Sequence, residues 1–172
     1  MLTDAQIERY GRQILLPEVG GRGQERLLAA CVAVIGRGTA ADVTATLLRR
    51  AGIERLQQVE DATAALHVFV DAPRVSPCTA AVVAVTATGL VAALTGRPCP
   101  TCFVAPAPSA PITTNATALH WQIGSLAAAE AVRLLVQANP APRLYQVLSA
   151  SSGLRSDPVS ATTGCSVCGS IG

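Results

Sequence analysis

Four cysteines and one glycine-rich turn carry the chemistry that can be read in this chain. Cys99-x-x-Cys102 and Cys165-x-x-Cys168 are two thiol pairs, and residues 103–164 separate them. Zinc favours four thiolates at tetrahedral corners, and each C-x-x-C turn can clip one edge of such a site. Pro98, Pro100, Gly164 and Gly169 flank the pairs and suit tight knuckles. A metal shared by Cys99, Cys102, Cys165 and Cys168 ties the C-terminal tail to the middle of the chain. The alternative is a redox dithiol, which normally opens a helix after a strand. Pro100 and the Pro-rich stretch 103–114 argue against that for the first pair. A closed four-thiolate site has no open coordination position, so it holds a fold and does not catalyse. Of the remaining thiols, Cys31 enters an apolar strand and reads as core. Cys78 follows Pro77, and no base stands near it to make it a nucleophile.

The second feature is Gly36-x-Gly38-x-x-Ala41, which follows the apolar run Val32–Ile35 and precedes a helical stretch. In that context the first glycine permits a sharp turn and the second lets a phosphate approach the backbone. Ala41 keeps the helix close to the sheet. The helix N-terminus adds free N–H groups and the positive end of a dipole. A carboxylate about 20 residues further on is expected to take ribose hydroxyls, and Glu60 stands there. A close-packed strand-to-helix turn with no ligand fits the same residues.

These groups need elements to position them. Thr3 and Gln6 fit a capping box, so a helix is expected from Asp4 to about Ile14. The segment LLPEVGGRGQ reads as a loop, followed by a short helix from Glu25 to Ala30. A strand is expected at Val32–Ile35, a helix at Ala40–Arg50 stopped by Ala51-Gly52, and strands at Arg55–Val59 and Leu66–Val70. The second crossover is thereby abbreviated. Ala80–Val85 and Gly89–Leu94 are β-branched and read as strands. Ala116–Gln137 is the longest helical pattern, stopped by Asn139-Pro140. Arg143–Ser149 alternates and belongs on a sheet edge or in a hairpin.

Composition narrows the classes. The 172 residues suffice for one domain with a real core. Half are hydrophobic, mainly Ala, Val and Leu, which suits helices packed closely on a parallel sheet. A net charge of +2 without an aromatic-laced basic cluster argues against nucleic acid and membrane surfaces. The apolar stretch near Thr79–Leu94 is broken by three Thr and a Gly and falls short of a spanning helix. The polar N-terminus is no secretory signal, so a cytoplasmic location is expected, with thiols reduced or metal-bound. All 13 Lys+Arg residues are arginine, and no lysine occurs.

Together the motifs resemble the MoeB/ThiF/HesA family, bacterial relatives of ubiquitin-activating enzymes. The likeness is carried by LTDAQIERYGRQILLPEVGGRGQERLLAACVAVIGRG, the two C-x-x-C pairs, the IGSLAAAEAVRLL helix and the closing GCSVCG. It covers residues 1–60 and about 96–169. It implies a shortened Rossmann-like α/β domain with a mainly parallel sheet flanked by helices. A four-cysteine structural zinc ties back the C-terminal segment. One domain is expected: an N-terminal arm (1–30), an abbreviated nucleotide-binding-like unit (31–98) and a zinc-clamped half (99–172).

In that family Mg-ATP adenylates the C-terminal glycine of a ubiquitin-like sulfur carrier, and the assembly is a dimer. By resemblance, Arg12 matches an arginine that reaches the nucleotide of a neighbouring subunit. Gly36, Gly38 and Ala41 match the phosphate turn, Glu60 the ribose carboxylate, and Cys99, Cys102, Cys165 and Cys168 the zinc ligands. The family's Asn-x-x-Arg-Gln segment, catalytic lysine and Asp-Asn pair have no counterpart here. Its Asp-x-x-Asp-Asn becomes Asp71-Ala-Pro-Arg74, with an arginine where a magnesium carboxylate is expected. The resemblance thus implies a non-catalytic partner or scaffold in sulfur-carrier activation. It would pair with itself, with a full-length family member or with a carrier. A minimal ATP-dependent adenylyltransferase and a nucleotide-binding sensor are the alternatives.

Overall fold

The structure, a computed structural model, describes residues 1–59, 62–72, 80–95, 98–99, 116–147, 154–157, 159 and 164–165. Four helices, α1 (Asp4–Ile14), α2 (Gly20–Ala29), α3 (Thr39–Ala51) and α4 (Ala116–Val136), accompany seven strands. The strands are β1 (Cys31–Gly36), β2 (Arg55–Gln57), β3 (Leu66–Val70), β4 (Ala80–Val85), β5 (Leu90–Thr95), β6 (Arg143–Val147) and β7 (Leu154–Asp157). They form one sheet in the order β2-β1-β3-β4-β5-β6-β7.

The sheet is mixed. β2, β1, β3 and β4 pair in parallel, while β4-β5, β5-β6 and β6-β7 pair antiparallel. Because β6 reverses β5, it runs with the parallel group, so most strands share one direction. The order also contains a switch point. The chain leaves β1 for β2 on one side and then passes back to β3 on the other, so the carboxyl ends of β1 and β3 open a crevice between them.

Local chemistry explains the elements. The Thr3 hydroxyl accepts from the Gln6 backbone, and the Gln6 side chain accepts from the Thr3 backbone, so α1 begins with the expected capping box. Gly52 closes α3 in the left-handed conformation at φ 108°, again as expected. Helix α2, expected from Glu25, instead starts at Gly20. Gly20 enters it at φ 59°, and tertiary packing overrides the poor propensity of Gly-Gly-Arg-Gly. Gly23 lies close against the side chains of Val19 and Val136.

Strand β2 ends at Gln57, two residues before the expected Val59, whose side chain is 67% exposed. An exposed edge gives it little to pack against. Of the two expected placements for Arg143–Val147 the hairpin holds: β7 pairs antiparallel with it and covers its outer side. β7 was not foreseen: Leu154–Asp157 shows no apolar alternation, and its partnership with β6 creates it.

The core lies mainly on one sheet face, where α3, α4 and α2 cover Val32, Val34, Val68, Val70, Val82, Ala84 and Val91. A smaller cluster on the other face holds Phe69, Ala81, Val83, Leu90, Ala92, Leu94 and Leu144. Helix α4 crosses α3 closely. A Cβ on Gly124 would stand 2.5 Å from the Ala40 carbonyl oxygen, and the buried Thr44 hydroxyl bonds the carbonyls of Ala40 and Gly124 at 2.8 and 3.1 Å. At its far end α4 is tied to β6. The buried Glu130 carboxylate accepts from Arg133 Nε (2.7 Å) and the Tyr145 hydroxyl (3.0 Å). Arg143 donates to the Tyr145 hydroxyl, and this bond, with Glu130 nearby, raises its pKa above the ordinary arginine value. No helix among the described residues is long and apolar enough to cross a membrane.

Candidate phosphate turn and thiolate cluster

The glycine turn sits at the mouth of the β1/β3 crevice. Gly36 pairs with Val70 in register at φ 134°, and a Cβ there would lie 2.1 Å from the Val70 carbonyl oxygen. Only glycine fits at that position. Gly38, at φ 91°, is the N-cap of α3, offers no side-chain cap, and faces open space. Ala41 is buried between α3 and the sheet. The structure therefore brings Gly36, Gly38 and Ala41 together as the motif requires, with α3's first amides directed at the crevice. Glu60 lies outside the described residues, as do Arg74 and Cys78.

Arg12 is elsewhere. It is exposed in the last turn of α1, and its neighbour Gln13 reaches the Arg50 carbonyl at the far end of α3. Thirteen helical residues, about 20 Å, separate that end from the phosphate turn. Within one copy of the chain Arg12 does not meet the turn.

Asp71, the first residue of the Asp71-Ala-Pro-Arg74 segment, has a structural role that motif reading did not give it. It follows β3 at φ 49°, among the described residues the one non-glycine in that region. Its carboxylate accepts from the Thr86 amide at 2.8 Å and from the Thr86 hydroxyl, and its own amide donates to the Ala84 carbonyl. The crevice wall is thus fastened to the turn between β4 and β5. The sequence marked it as an Asp at a strand exit, a type that tolerates left-handed backbone, but not its hold on Thr86.

At the other candidate site, Cys99 Sγ and Cys165 Sγ are 3.7 Å apart. Cys99 is buried and Cys165 half-buried, following Gly164 at φ 77°. The separation far exceeds a disulfide bond of about 2.05 Å. It suits two corners of a tetrahedral thiolate site, whose edge is about 3.8 Å for metal–sulfur bonds of about 2.3 Å. Cys102 and Cys168 lie outside the described residues. Among the described residues no group of three or more metal-ligating side chains occurs.

A mixed, mostly parallel α/β sheet with a bare glycine turn at its switch point defines a Rossmann-like fold. Comparison narrows the class: about a third of the chain is similar in sequence to adenylyltransferases and HesA proteins of the MoeB/ThiF/HesA kind. It is 49% identical over 59 residues to the adenylyltransferase and sulfurtransferase MOCS3 of Mus musculus, a match covering 34% of this chain and 13% of that protein. It is 43% identical over 58 residues to the sulfur carrier protein adenylyltransferase of Thermus thermophilus, covering 34% of this chain and 21% of the relative. The HesA protein (vegetative) of Trichormus variabilis matches at 46% over 55 residues, 32% and 21% of the two chains. The matches therefore span about a fifth or less of these relatives' lengths. No protein-family model matches the chain.

The fold extends further than the sequence likeness. E. coli MccB, solved with AMPCPP and MccA, superposes with a TM-score of 0.68 at 15% identity, covering 98% of this chain and 75% of MccB. A heterocyclase in complex with substrate and cofactor superposes at 0.56 with 13% identity, covering 96% of this chain and 31% of the other.

Proposed function

We propose that this chain is a non-catalytic family member acting as a partner or scaffold in the activation of ubiquitin-like sulfur carriers. One observation carries the reading: only residues 58–65 connect β2 to β3. A helical crossover needs roughly a dozen residues or more. The family resemblance places the catalytic lysine and the Asn-x-x-Arg-Gln segment in the stretch that follows the second strand. Residues 1–172 also contain no lysine.

Adenylyl transfer relies on charge set around the phosphates in advance. Losing one such group costs about 2.7–4 kcal/mol. Loss of a lysine, an arginine and a magnesium carboxylate together leaves little activity, even where the losses do not add. Arginine at 37 or 74 is no simple replacement, since a guanidinium is broader and differently directed than an ammonium.

In this reading Cys99, Cys102, Cys165 and Cys168 hold a structural zinc, which supplies cross-linking and no catalysis. The Cys99–Cys165 separation supports the assignment. Exposed apolar side chains support a binding role: Ile7, Leu15 and Leu16 on and after α1, and Trp121 on α4, 56% exposed. Partners are a second copy, a full-length family member or a ubiquitin-like carrier, with Arg12 available across an interface.

The open glycine turn favours a second reading, in which ATP still binds and the chain is a sensor or a minimal adenylyltransferase. ATP–pyrophosphate exchange with candidate carrier proteins, alongside ATP titration calorimetry, separates the readings. The scaffold reading expects no exchange and stable association with a carrier or full-length relative. Exchange above background overturns it, and ATP binding without exchange gives the sensor.

A further inference from the structure

The sheet face that carries Phe69 and Val83 lacks the helices that cover both faces of most parallel sheets. α3 joins β1 to β2 on the opposite face. The chain then travels the other way, from β2 past β1 to β3 and on to β4. Right-handed crossovers in that direction belong on the Phe69 face. Only residues 58–65 and 71–79 are available for them, too few for helical crossovers. Accordingly, among the described residues no helix side chain joins the apolar cluster there, whereas α2, α3 and α4 all contribute to the cluster on the opposite face. Phe69, Ala92 and Leu94 are nonetheless buried.

Among the described residues, one apolar side chain outside the sheet packs on that cluster, the half-buried Val159. Its place follows from the register. Ile35, Phe69, Val83, Ala92 and Leu144 stand side by side in one row across β1, β3, β4, β5 and β6, and the row ends at Asp157 of β7. Pro158 comes next in the sequence; it has no N–H for a ladder and suits the end of a strand. The far end of the segment is fixed as well. Cys165 Sγ stands 3.7 Å from the sulfur of Cys99, which follows the end of β5. β5 and β7 are two strand spacings apart, roughly 10 Å. The chain from Val159 to Cys165 reaches up to about 20 Å when extended, so it has slack to lie across the face. Residues 158–165, PVSATTGC, carry no charge, as a segment resting on apolar side chains requires.

We propose that residues 158–165 form a strap, latched through Cys165 to Cys99, that seals the Phe69 face in place of crossover helices. Opening the latch exposes Phe69, Leu94 and Leu144 to solvent. The thiols thereby govern an apolar surface as well as the position of the tail.

The test is methyl and aromatic NOE spectroscopy on the 13C-labelled full chain, with fluorescence of the dye anilinonaphthalene sulfonate as a second readout. Expected are contacts from the Val159 methyls to Phe69, Leu94 or Leu144. Val159→Asp spares every cysteine, so its outcome is separate from that of metal binding. It should give a several-fold rise in dye fluorescence and shift the Leu94 and Leu144 methyl signals, while those of Leu48 and Ile123 on the opposite face hold. Cys165→Ser should give the same pattern. Leu154→Asp, at an exposed position of β7, should leave the dye signal unchanged. Contacts to the Phe69 face from Val104 or Ile112 in place of Val159 would overturn the proposal. So would a Val159→Asp chain that binds no more dye than wild type, or a Cys165→Ser chain whose Leu94 and Leu144 signals stay in place.

Discussion

Gly36 and Val70 meet in register across β1 and β3 so closely that the carbonyl oxygen of Val70 occupies the place of a Gly36 side chain. The contact sets the width of the crevice at the switch point. Gly36→Ala meets both a positive φ and a backbone clash, and should cost about 2–4 kcal/mol. Gly38→Ala meets positive φ alone, because the space in front of Gly38 is open, and should cost about 1 kcal/mol. Urea unfolding of both variants checks the order. Equal destabilisation would mean that the close β1–β3 contact is wrong.

The α3–α4 crossing yields a second pair of expectations. Thr44→Val removes one hydroxyl that bonds two carbonyls, each of which also has its place in a helix, and should cost about 1 kcal/mol. Gly124→Ala must push the helices apart near the phosphate turn, and should cost about 1–3 kcal/mol. Thermal melts of the two variants rank them, with Gly124→Ala the lower.

Glu130 is buried with Arg133, whose side chain is only 10% exposed. Removing the carboxylate leaves the guanidinium only Gln137 Oε1 and the Ala141 carbonyl and takes away the acceptor of Tyr145, so Glu130→Ala should cost about 3 kcal/mol. Tyr145→Phe removes one hydrogen bond to that carboxylate and should cost about 1–3 kcal/mol. Chemical denaturation checks both. A Glu130→Ala chain as stable as wild type would show that α4 docks on β6 without the network.

How much of this was legible in the sequence depends on what each residue's signal meant locally. The capping box at Thr3–Gln6, the Gly52 stop and the β3 boundaries were all readable, because each arises within a few residues of chain. The glycine turn was readable as a motif, and the structure adds why Gly36 in particular is required. The features that were missed come from distant partners. α2 extends back to Gly20 because Gly23 packs on Val136 from α4, and β7 exists because β6 pairs with it. Asp71 was legible as a strand exit, but its hold on Thr86 depends on where β4 and β5 turn. Glu60, Cys102 and Cys168 lie outside the described residues.

The thiolate cluster provides the last expectation. Cys99 and Cys165 come from segments far apart in sequence, and a metal between them would close a long loop. Closing such a loop restrains the unfolded chain, and a structural zinc contributes its binding energy directly to folding. Purified protein should therefore contain one zinc per chain by elemental analysis. Stripping the metal with a strong chelator should lower the melting temperature by more than about 5 °C, as should Cys165→Ser, whereas Cys31→Ser should leave zinc content unchanged. Cys31 belongs to a buried strand, so its loss tests packing alone. A metal-free preparation with an unchanged melting temperature would remove zinc from this fold, and the tail would then need some other contact to hold it against the middle of the chain.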